Sequence, residues 1–378
     1  MPPRPGLLVT ADGALFRGVS VGAEGVSTGE VVFNTAMTGY QEVLTDPSYA
    51  GQVVVMTSVH IGNYGISADD DQSSSPAASG MIVRSLTSRP SSWRAERSLA
   101  EVFVERGLVA LSEIDTRRLT RHIRQHGAMP AALGSGMTEA ELTERAAAAP
   151  RMEGRALAYA VSTPHPYHVA AEGDRRGKVV AIDLGIKRDI LRQLAGRGFD
   201  VDVMPAAATA NEIRDRQPDG IFLSNGPGDP EPLTETVATL RELIGKVPIF
   251  GICLGHQVFG LALGARTFKL PFGHHGGNHP VRRLDDGRVS ITSQNHGFAV
   301  DLQSVAKGAS APGELPPKVE TDFGTAIPTH QNLNDGTLEG MRSLDVPAFS
   351  VQFHPEAAPG PRDAVGLFDD FVELMDRA

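Results

Sequence analysis

The only cysteine of the chain, Cys253, lies in a motif that predicts a nucleophile. It stands in Gly251-Ile252-Cys253-Leu254-Gly255, between an apolar strand-like segment and an apolar helix-like segment. This is the spacing of the Gly-x-Ser-x-Gly nucleophile elbow, with cysteine in place of serine. The glycines leave room for an abrupt turn, and the positive end of the helix dipole favours a thiolate. The alternative is a buried structural cysteine, but the flanking glycines favour the nucleophile.

A thiol nucleophile needs a base, and His354 is the best placed of the twelve histidines. The segment 348–353 (AFSVQF) predicts a strand, and Pro355 biases His354 towards an extended conformation. Residues i and i+2 of an extended segment project to the same side, so Glu356 can orient the His354 ring. Cysteine, histidine and carboxylate together form a thiol version of the nucleophile, base and orienter. On spacing alone, a solvated turn histidine is an equally good interpretation.

A glycine- and proline-rich segment, Ser224-Asn225-Gly226-Pro227-Gly228-Asp229-Pro230, follows the strand predicted at 220–223. Ligands of parallel sheets collect at the carboxyl ends of strands. The backbone N–H groups of Gly226 or Gly228 are therefore candidates for an oxyanion hole, together with the amide of Leu254. The same punctuation is also typical of an ordinary tight turn.

Two other kinds of site are not predicted. His274, His275 and His279 form a cluster, but no cysteine accompanies it and the nearest acidic residues are Asp285 and Asp286, so we predict no metal site. The sequence has neither the P-loop motif nor a convincing Gly-x-Gly-x-x-Gly after a strand. We therefore expect no cofactor in this chain, neither ATP nor NAD.

The elements that position these residues alternate between strand and helix in the second half of the chain, which predicts a mostly parallel sheet with helices on both faces. The predicted strands are 178–183, 199–204, 220–223, 247–252 and 348–353, and the predicted helices are 187–195, 210–216, 233–244 and 254–263. The first half predicts a mixed α/β domain, with strands at 30–33, 52–56 and 81–83 and helices at 98–106, 115–125 and 138–149. The irregular stretch 150–177 predicts a linker, which divides the chain into domains 1–172 and 176–378.

Composition limits the class of protein. The 378 residues are 41% hydrophobic and 21% charged, which is ordinary for a globular chain with two domains. A net charge of −10 disfavours nucleic acid as a partner. Residues 247–265 are apolar but too interrupted by polar residues and glycine for a membrane span, and the N-terminus lacks the apolar core of a signal peptide. We expect a cytoplasmic protein without a membrane partner.

Taken together, SNGPGDP, FGICLGHQ and FHPEA resemble the triad-type (class I) glutamine amidotransferases. The first half contains GEVVFNTAMTGYQEVLTDPSYAGQ, IGNYG and EIDTRRLTRHIRQHGAM, which resemble the N-terminal domain of the glutamine-hydrolysing small subunits of carbamoyl phosphate synthetase. The resemblance covers essentially the whole chain. It departs from the family at His60, at Met129-Pro130 and in the segment 301–329, which is longer than usual.

The resemblance implies that Cys253 is the nucleophile, His354 the general base and acid, and Glu356 its orienter. It also implies a set of contacts to L-glutamine at Ser48, Gly226, Gly228, Leu254, Gln257, Asn295, Gly297 and Phe298. Ammonia would pass to a large subunit that carries ATP, Mg²⁺ and bicarbonate and makes carbamoyl phosphate for arginine or pyrimidine biosynthesis.

Three alternatives are kept. The chain could serve another biosynthetic synthase, such as that of anthranilate or GMP, although its long N-terminal domain argues against this. It could be a free-standing thiol hydrolase of γ-glutamyl compounds, which would be fully active alone. It could also be an inactive scaffold subunit, which the intact Cys253, His354 and Glu356 disfavour.

Overall fold

The computed structural model describes residues 4–306 and 314–377, so residues 307–313 of the long segment 301–329 lie outside the described part. The chain divides into two compact units, the first formed by Met1–Glu153 with Pro271–Gly276 and the second by Gly154–Leu270 with Gly277–Ala378. The division after Glu153 differs from the sequence expectation of a domain ending at residue 172.

The first unit is built around a closed barrel. The strands of the whole unit are β1 (Arg4–Thr10), β2 (Leu15–Ser20), β3 (Val26–Asn34), β4 (Gln52–Met56), β5 (His60–Ile61), β6 (Gly80–Ile82), β7 (Ser85–Leu86), β8 (Val109–Ser112) and β9 (Met129–Ser135). The helices are α1 (Tyr40–Thr45), α2 (Leu99–Glu105), α3 (Thr116–His126) and α4 (Glu139–Ala148). The barrel order is β1-β2-β8-β6-β4-β3-β9, closed by the antiparallel pairing of β9 with β1.

Local sequence signals set the helix starts in this unit. Ser98 and Thr138 each form a capping box with the glutamate three residues later, which fixes the first turns of α2 and α4. The Asp115 side chain accepts a hydrogen bond from the backbone N–H of Arg118 and so caps α3. The three helices predicted here are therefore present, each within a residue or two of its expected bounds.

The second unit contains one large sheet. Its strands are β10 (Tyr167–Val169), β11 (Gly177–Asp183), β12 (Phe199–Pro205), β13 (Gly220–Leu223), β14 (Ile249–Ile252), β15 (Arg266–Arg283), β16 (Val289–Asp301), β17 (Val319–Thr321), β18 (Gly324–Asn332), β19 (Leu338–Ser343) and β20 (Ala348–Val351). The helices are α5 (Leu157–Val161), α6 (Arg188–Ala195), α7 (Ala210–Asp215), α8 (Thr234–Leu243), α9 (Leu254–Ala262) and α10 (Leu367–Arg377).

The centre of this sheet is parallel, as the sequence predicts. Strands β12, β11, β13, β14 and β20 are parallel neighbours in that order. Both faces of the centre are buried: Val179 and Ala181 of β11 enter one hydrophobic core, and Val180 and Ile182 enter the other. Beyond β20 the sheet continues through β19, β18, β15 and β16, and its β20–β19, β19–β18 and β18–β15 pairs are antiparallel. This extension is not among the strands predicted from the sequence.

The stretch expected to be a linker belongs to the second unit. Helix α5 buries Ala158 in one of the two cores, and β10 forms an antiparallel edge pair with β12. The short elements carry too few apolar residues to show a period in the sequence, which explains why the boundary was expected later. Within the described ranges, no helix combines the length and apolarity needed to cross a bilayer.

Candidate active site

Cys253 occupies a strained turn between β14 and α9. Its backbone has φ 55° and ψ −105°, in a region that side chains other than glycine rarely adopt. The side chain is 1% exposed and sits at the start of α9, next to the positive end of the helix dipole. A strained residue at the tip of a strand-to-helix turn is the geometry expected of a nucleophile elbow.

The glycines on either side of Cys253 are required by contact. A Cβ atom added to Gly255 would lie 2.2 Å from the carbonyl oxygen of Leu223, and one added to Gly251 would lie 2.8 Å from the carbonyl oxygen of Gly255. Both clashes are with backbone atoms that cannot rotate away. The structure therefore supports the steric argument for an elbow over a structural cysteine.

Strand β16 lies beside the elbow and contacts both Cys253 and His354. The Cys253 sulfur lies 3.5 Å from the carbonyl oxygen of Asn295, and the Cys253 N–H donates to the carbonyl of Val351 at 2.9 Å. The N–H of His354 donates to the carbonyl of Ser293 at 2.9 Å. Since Ser293 and Asn295 are two residues apart on one strand, the histidine and the cysteine are held at neighbouring points of it.

His354 and Glu356 form a buried pair. Nδ1 of His354 lies 2.6 Å from a Glu356 carboxylate oxygen, and each residue is 2% exposed. Burial alone would lower the pKa of His354, but the Glu356 carboxylate and the Cys253 sulfur hold that pKa well above its usual value. A buried imidazole of this kind retains a proton taken from sulfur, and the alternative of a solvated turn histidine is wrong.

Lys187 completes the arrangement, although it is not among the site residues predicted from the sequence. Its ammonium lies 2.9 Å from the same Glu356 oxygen and donates to the carbonyl of Ala357 at 2.6 Å, with the residue 1% exposed. Burial would raise the pKa of Glu356, but the charges of Lys187 and His354 hold it well below its usual range. The available signal was a lysine between a buried strand and a helix, beside the glycine turn at Gly185.

A second histidine near the nucleophile is unsuited to base catalysis. His256, on the first turns of α9, is fully buried, and its Nδ1 lies 2.9 Å from the Ser350 hydroxyl. Burial lowers the pKa of His256 to about 3. An imidazole with so low a pKa is too weak a base to take a proton from the thiol, which leaves His354 as the candidate base.

The loop after β13 lies beside the elbow. A Cβ atom on Gly226 would lie 2.0 Å from the carbonyl oxygen of Leu184 and 2.8 Å from a side-chain carbon of Leu254, so only glycine fits there. Gly228 has φ +94°, which also favours glycine. Gly226 thus packs against Leu254, the first residue of α9, whose N–H has no partner within its own helix. This neighbourhood is consistent with an oxyanion hole, whose assignment stays a prediction.

The other residues expected to contact glutamine fall into two groups. Gln257 and Phe298 lie in the second unit and contact each other, since the Gln257 amide donates to the Phe298 carbonyl at 2.8 Å. Asn295 and Gly297 lie on β16, the strand that also contains Phe298. Ser48 lies in the first unit, in the short 3-10 helix Pro47–Tyr49, where its N–H donates to the Asp46 carboxylate. Their contacts to glutamine remain predictions.

Comparisons with known proteins agree with both halves of the sequence. Residues 8–133 match the family described as carbamoyl-phosphate synthase small chain, CPSase domain, and residues 180–374 match glutamine amidotransferase class-I. The chain is 49% identical over 384 residues to a protein of Syntrophotalea carbinolica, covering 98% of each. It is 51% identical over 388 residues to one of Xanthomonas campestris pv. campestris, covering 99% of each. A relative from Chlorobaculum tepidum is 50% identical over 377 residues, covering 99% of this chain and 98% of that protein. All three relatives carry the name carbamoyl phosphate synthase small chain.

Proposed function

Since the chain belongs to the family of carbamoyl phosphate synthase small chains and contains a class I glutamine amidotransferase domain, we propose that it hydrolyses L-glutamine through a cysteine thioester. The observation that carries the proposal is the buried set of Cys253, His354 and Glu356, with His354 bonded to the carboxylate at 2.6 Å. A nucleophile, a base and an orienter in this order are what thiol acyl transfer requires.

In the first half-reaction the Cys253 sulfur attacks the carboxamide carbon of the glutamine side chain, and His354 holds the proton that sulfur gives up. The oxyanion that forms is stabilised by backbone N–H groups at Leu254 and the Gly226 loop; one such donor is worth roughly 10²–10³ in rate. The carbon–nitrogen bond then breaks, His354 returns the proton to the leaving nitrogen, and ammonia departs from a γ-glutamyl thioester.

In the second half-reaction water attacks the thioester carbonyl while His354 accepts one of its protons. The carbon–sulfur bond breaks and glutamate is released. The sulfur leaves as a thiolate while the proton taken from water stays on His354, which is the state in which the cycle began. Glu356 stays ionised throughout because Lys187 is bound to it. Its constant negative charge stabilises the imidazolium that forms in both half-reactions.

The ammonia is delivered, in this proposal, to a large ATP-dependent subunit that combines it with bicarbonate to make carbamoyl phosphate. ATP, Mg²⁺ and bicarbonate would bind to that subunit and not to this chain. We expect the complex to act in the cytoplasm, where a single unpaired thiol is compatible with the reducing environment.

The test is to supply the complex with glutamine or with free ammonium. Cys253→Ser and His354→Gln are expected to lose glutamine-dependent synthesis of carbamoyl phosphate and to retain synthesis from ammonium, which shows that the large subunit is intact. The control is His168→Gln, since His168 also contacts a carboxylate, Asp202 at 2.9 Å, but is half exposed. Glutamine-dependent synthesis that survives Cys253→Ser would refute the assignment. Full glutaminase activity that needs no large subunit would favour a free-standing hydrolase.

A further inference from the structure

Helix α3 of the first unit presents a row of arginines. Its eleven residues include four arginines and no acidic residue. Their spacing places Arg117, Arg121 and Arg124 on one side of the helix, since residues three and four apart are neighbours on a helix surface. All three are exposed. Within residues 4–306 and 314–377, their guanidinium groups have no hydrogen bond or ion pair, unlike Arg118, which donates to the Leu15 carbonyl.

This row borders a cavity of about 690 Å³ inside the first unit. We call it the arginine groove; it is lined by Thr57, Val59, Arg84, Asp115, Thr116, Arg117, Thr120, Arg121 and Arg124. The acidic side chain in this lining is Asp115, and its carboxylate already accepts from the N–H of Arg118 as the helix cap. Four guanidinium groups therefore meet at the groove with little compensating negative charge, although the chain as a whole carries −10.

The surface beside the row of arginines is not a single concave pocket. A second depression of about 330 Å³ shares Asp115, Arg117 and Arg121 with the groove, so Arg117 and Arg121 stand between two hollows. A small ligand is normally enclosed in one concave pocket, whereas a surface with two adjoining hollows fits an extended chain. Val59, 53% exposed, adds an apolar contact at the edge of the groove.

We propose that the arginine groove is the docking site for an acidic segment of the large synthetase chain. The inference rests on the proposed function, which requires such a partner. Guanidinium groups bind carboxylates through paired hydrogen bonds, so a segment rich in aspartate and glutamate satisfies Arg84, Arg117, Arg121 and Arg124 together. Their joint field also attracts an acidic partner before contact and raises the rate of association.

The test measures binding of the purified large chain from the same organism to variants of this chain by surface-immobilised kinetics. Arg121→Glu/Arg124→Glu reverses two charges of the arginine groove. The matched control, Arg145→Glu, reverses an exposed arginine on α4 of the same unit, and a second reversal at the exposed Arg151 equalises the net charge. The circular dichroism spectrum and the urea unfolding curve of each variant verify that the chain is folded.

We expect the groove variant to weaken binding by at least about tenfold, mainly through slower association, and to show a smaller dependence of the association rate on salt. The control is expected to bind within about twofold of the unchanged chain, because exposed charges far from an interface contribute little to binding. A groove variant that binds the large chain normally would overturn the proposal. So would saturable binding of inorganic tripolyphosphate that the groove variant abolishes while assembly stays normal, because the groove would then hold a free anion. If the unchanged chain forms no complex at all, the proposed function fails instead.

Discussion

Replacing Gly255 with alanine tests whether the elbow is held by close backbone contact. The added Cβ would lie 2.2 Å from the carbonyl oxygen of Leu223 and 2.7 Å from the carbonyl carbon of the same residue. Contacts of a Cβ atom below 3.0 Å are essentially never seen in proteins. Strand β13 and helix α9 must therefore move apart by about 1 Å, and a displacement of that size at a reacting group costs about 10²-fold in rate.

The same displacement has a cost in stability, since forcing one extra carbon into a packed interior costs about 1–3 kcal/mol. We expect Gly255→Ala to lower kcat for glutamine hydrolysis by about 10²-fold and to lower the free energy of unfolding, measured in urea, by a few kcal/mol. The control is Gly366→Ala, where a Cβ atom meets nothing within 4 Å. Gly366→Ala should leave kcat unchanged and should change the free energy of unfolding by no more than a few tenths of a kcal/mol.

The reasoning would be refuted by a Gly255→Ala protein with an unchanged free energy of unfolding and unchanged kcat. Loss of activity with no loss of stability would also contradict it in part, because backbone separation has to appear in both measurements. Ammonium-dependent synthesis by the assembled complex distinguishes a damaged glutaminase from a chain that no longer folds.

The buried ion pair gives the remaining predictions. Lys187→Met removes the ammonium bound to the buried Glu356, so the free energy of unfolding in urea should fall by about 3–5 kcal/mol. The control Arg192→Met, at an exposed ion pair, should lower it by less than about 1 kcal/mol. In wild type the pKa of Glu356 is depressed, so its stabilisation is present at neutral pH and lost as pH falls through that low pKa; Lys187→Met should therefore unfold at a higher pH in an acid titration. Glu356→Gln removes the charge that raises the pKa of His354, so the pH profile of kcat/KM should shift to lower pH and kcat should fall roughly 10²- to 10⁴-fold.

The elbow could be predicted from the sequence because all its determinants are local. An apolar strand, a glycine on each side of the nucleophile and an apolar helix all lie within residues 247–263, and the steric exclusion at Gly251 and Gly255 involves nearby backbone atoms. The same holds for the capped helices α2 and α4. The pairing of His354 with Glu356 was also local, since two residues of extended chain separate them.

Lys187 was not predictable in this way because its partner is 169 residues distant in the sequence. A lysine after a buried strand looks like any surface residue until the fold brings a carboxylate to it. The closed barrel was unpredictable for the same reason, because β9 pairs with β1 and β3, which lie far from it in the sequence. Pro271–Gly276 belongs to that unit through bonds such as Ala128 N–H to the Pro271 carbonyl at 2.7 Å, which no periodicity in β15 indicates.

The burial of Cys253 limits how fast its sulfur can react with a reagent from solution. With 1% of its surface exposed, the sulfur reacts with a reagent from solution only while a local opening lasts. Because the chain has no other cysteine, every modified molecule records one such event, without background from a second thiol. The labelling rate of the native protein would therefore measure how often the proposed active site opens to solvent.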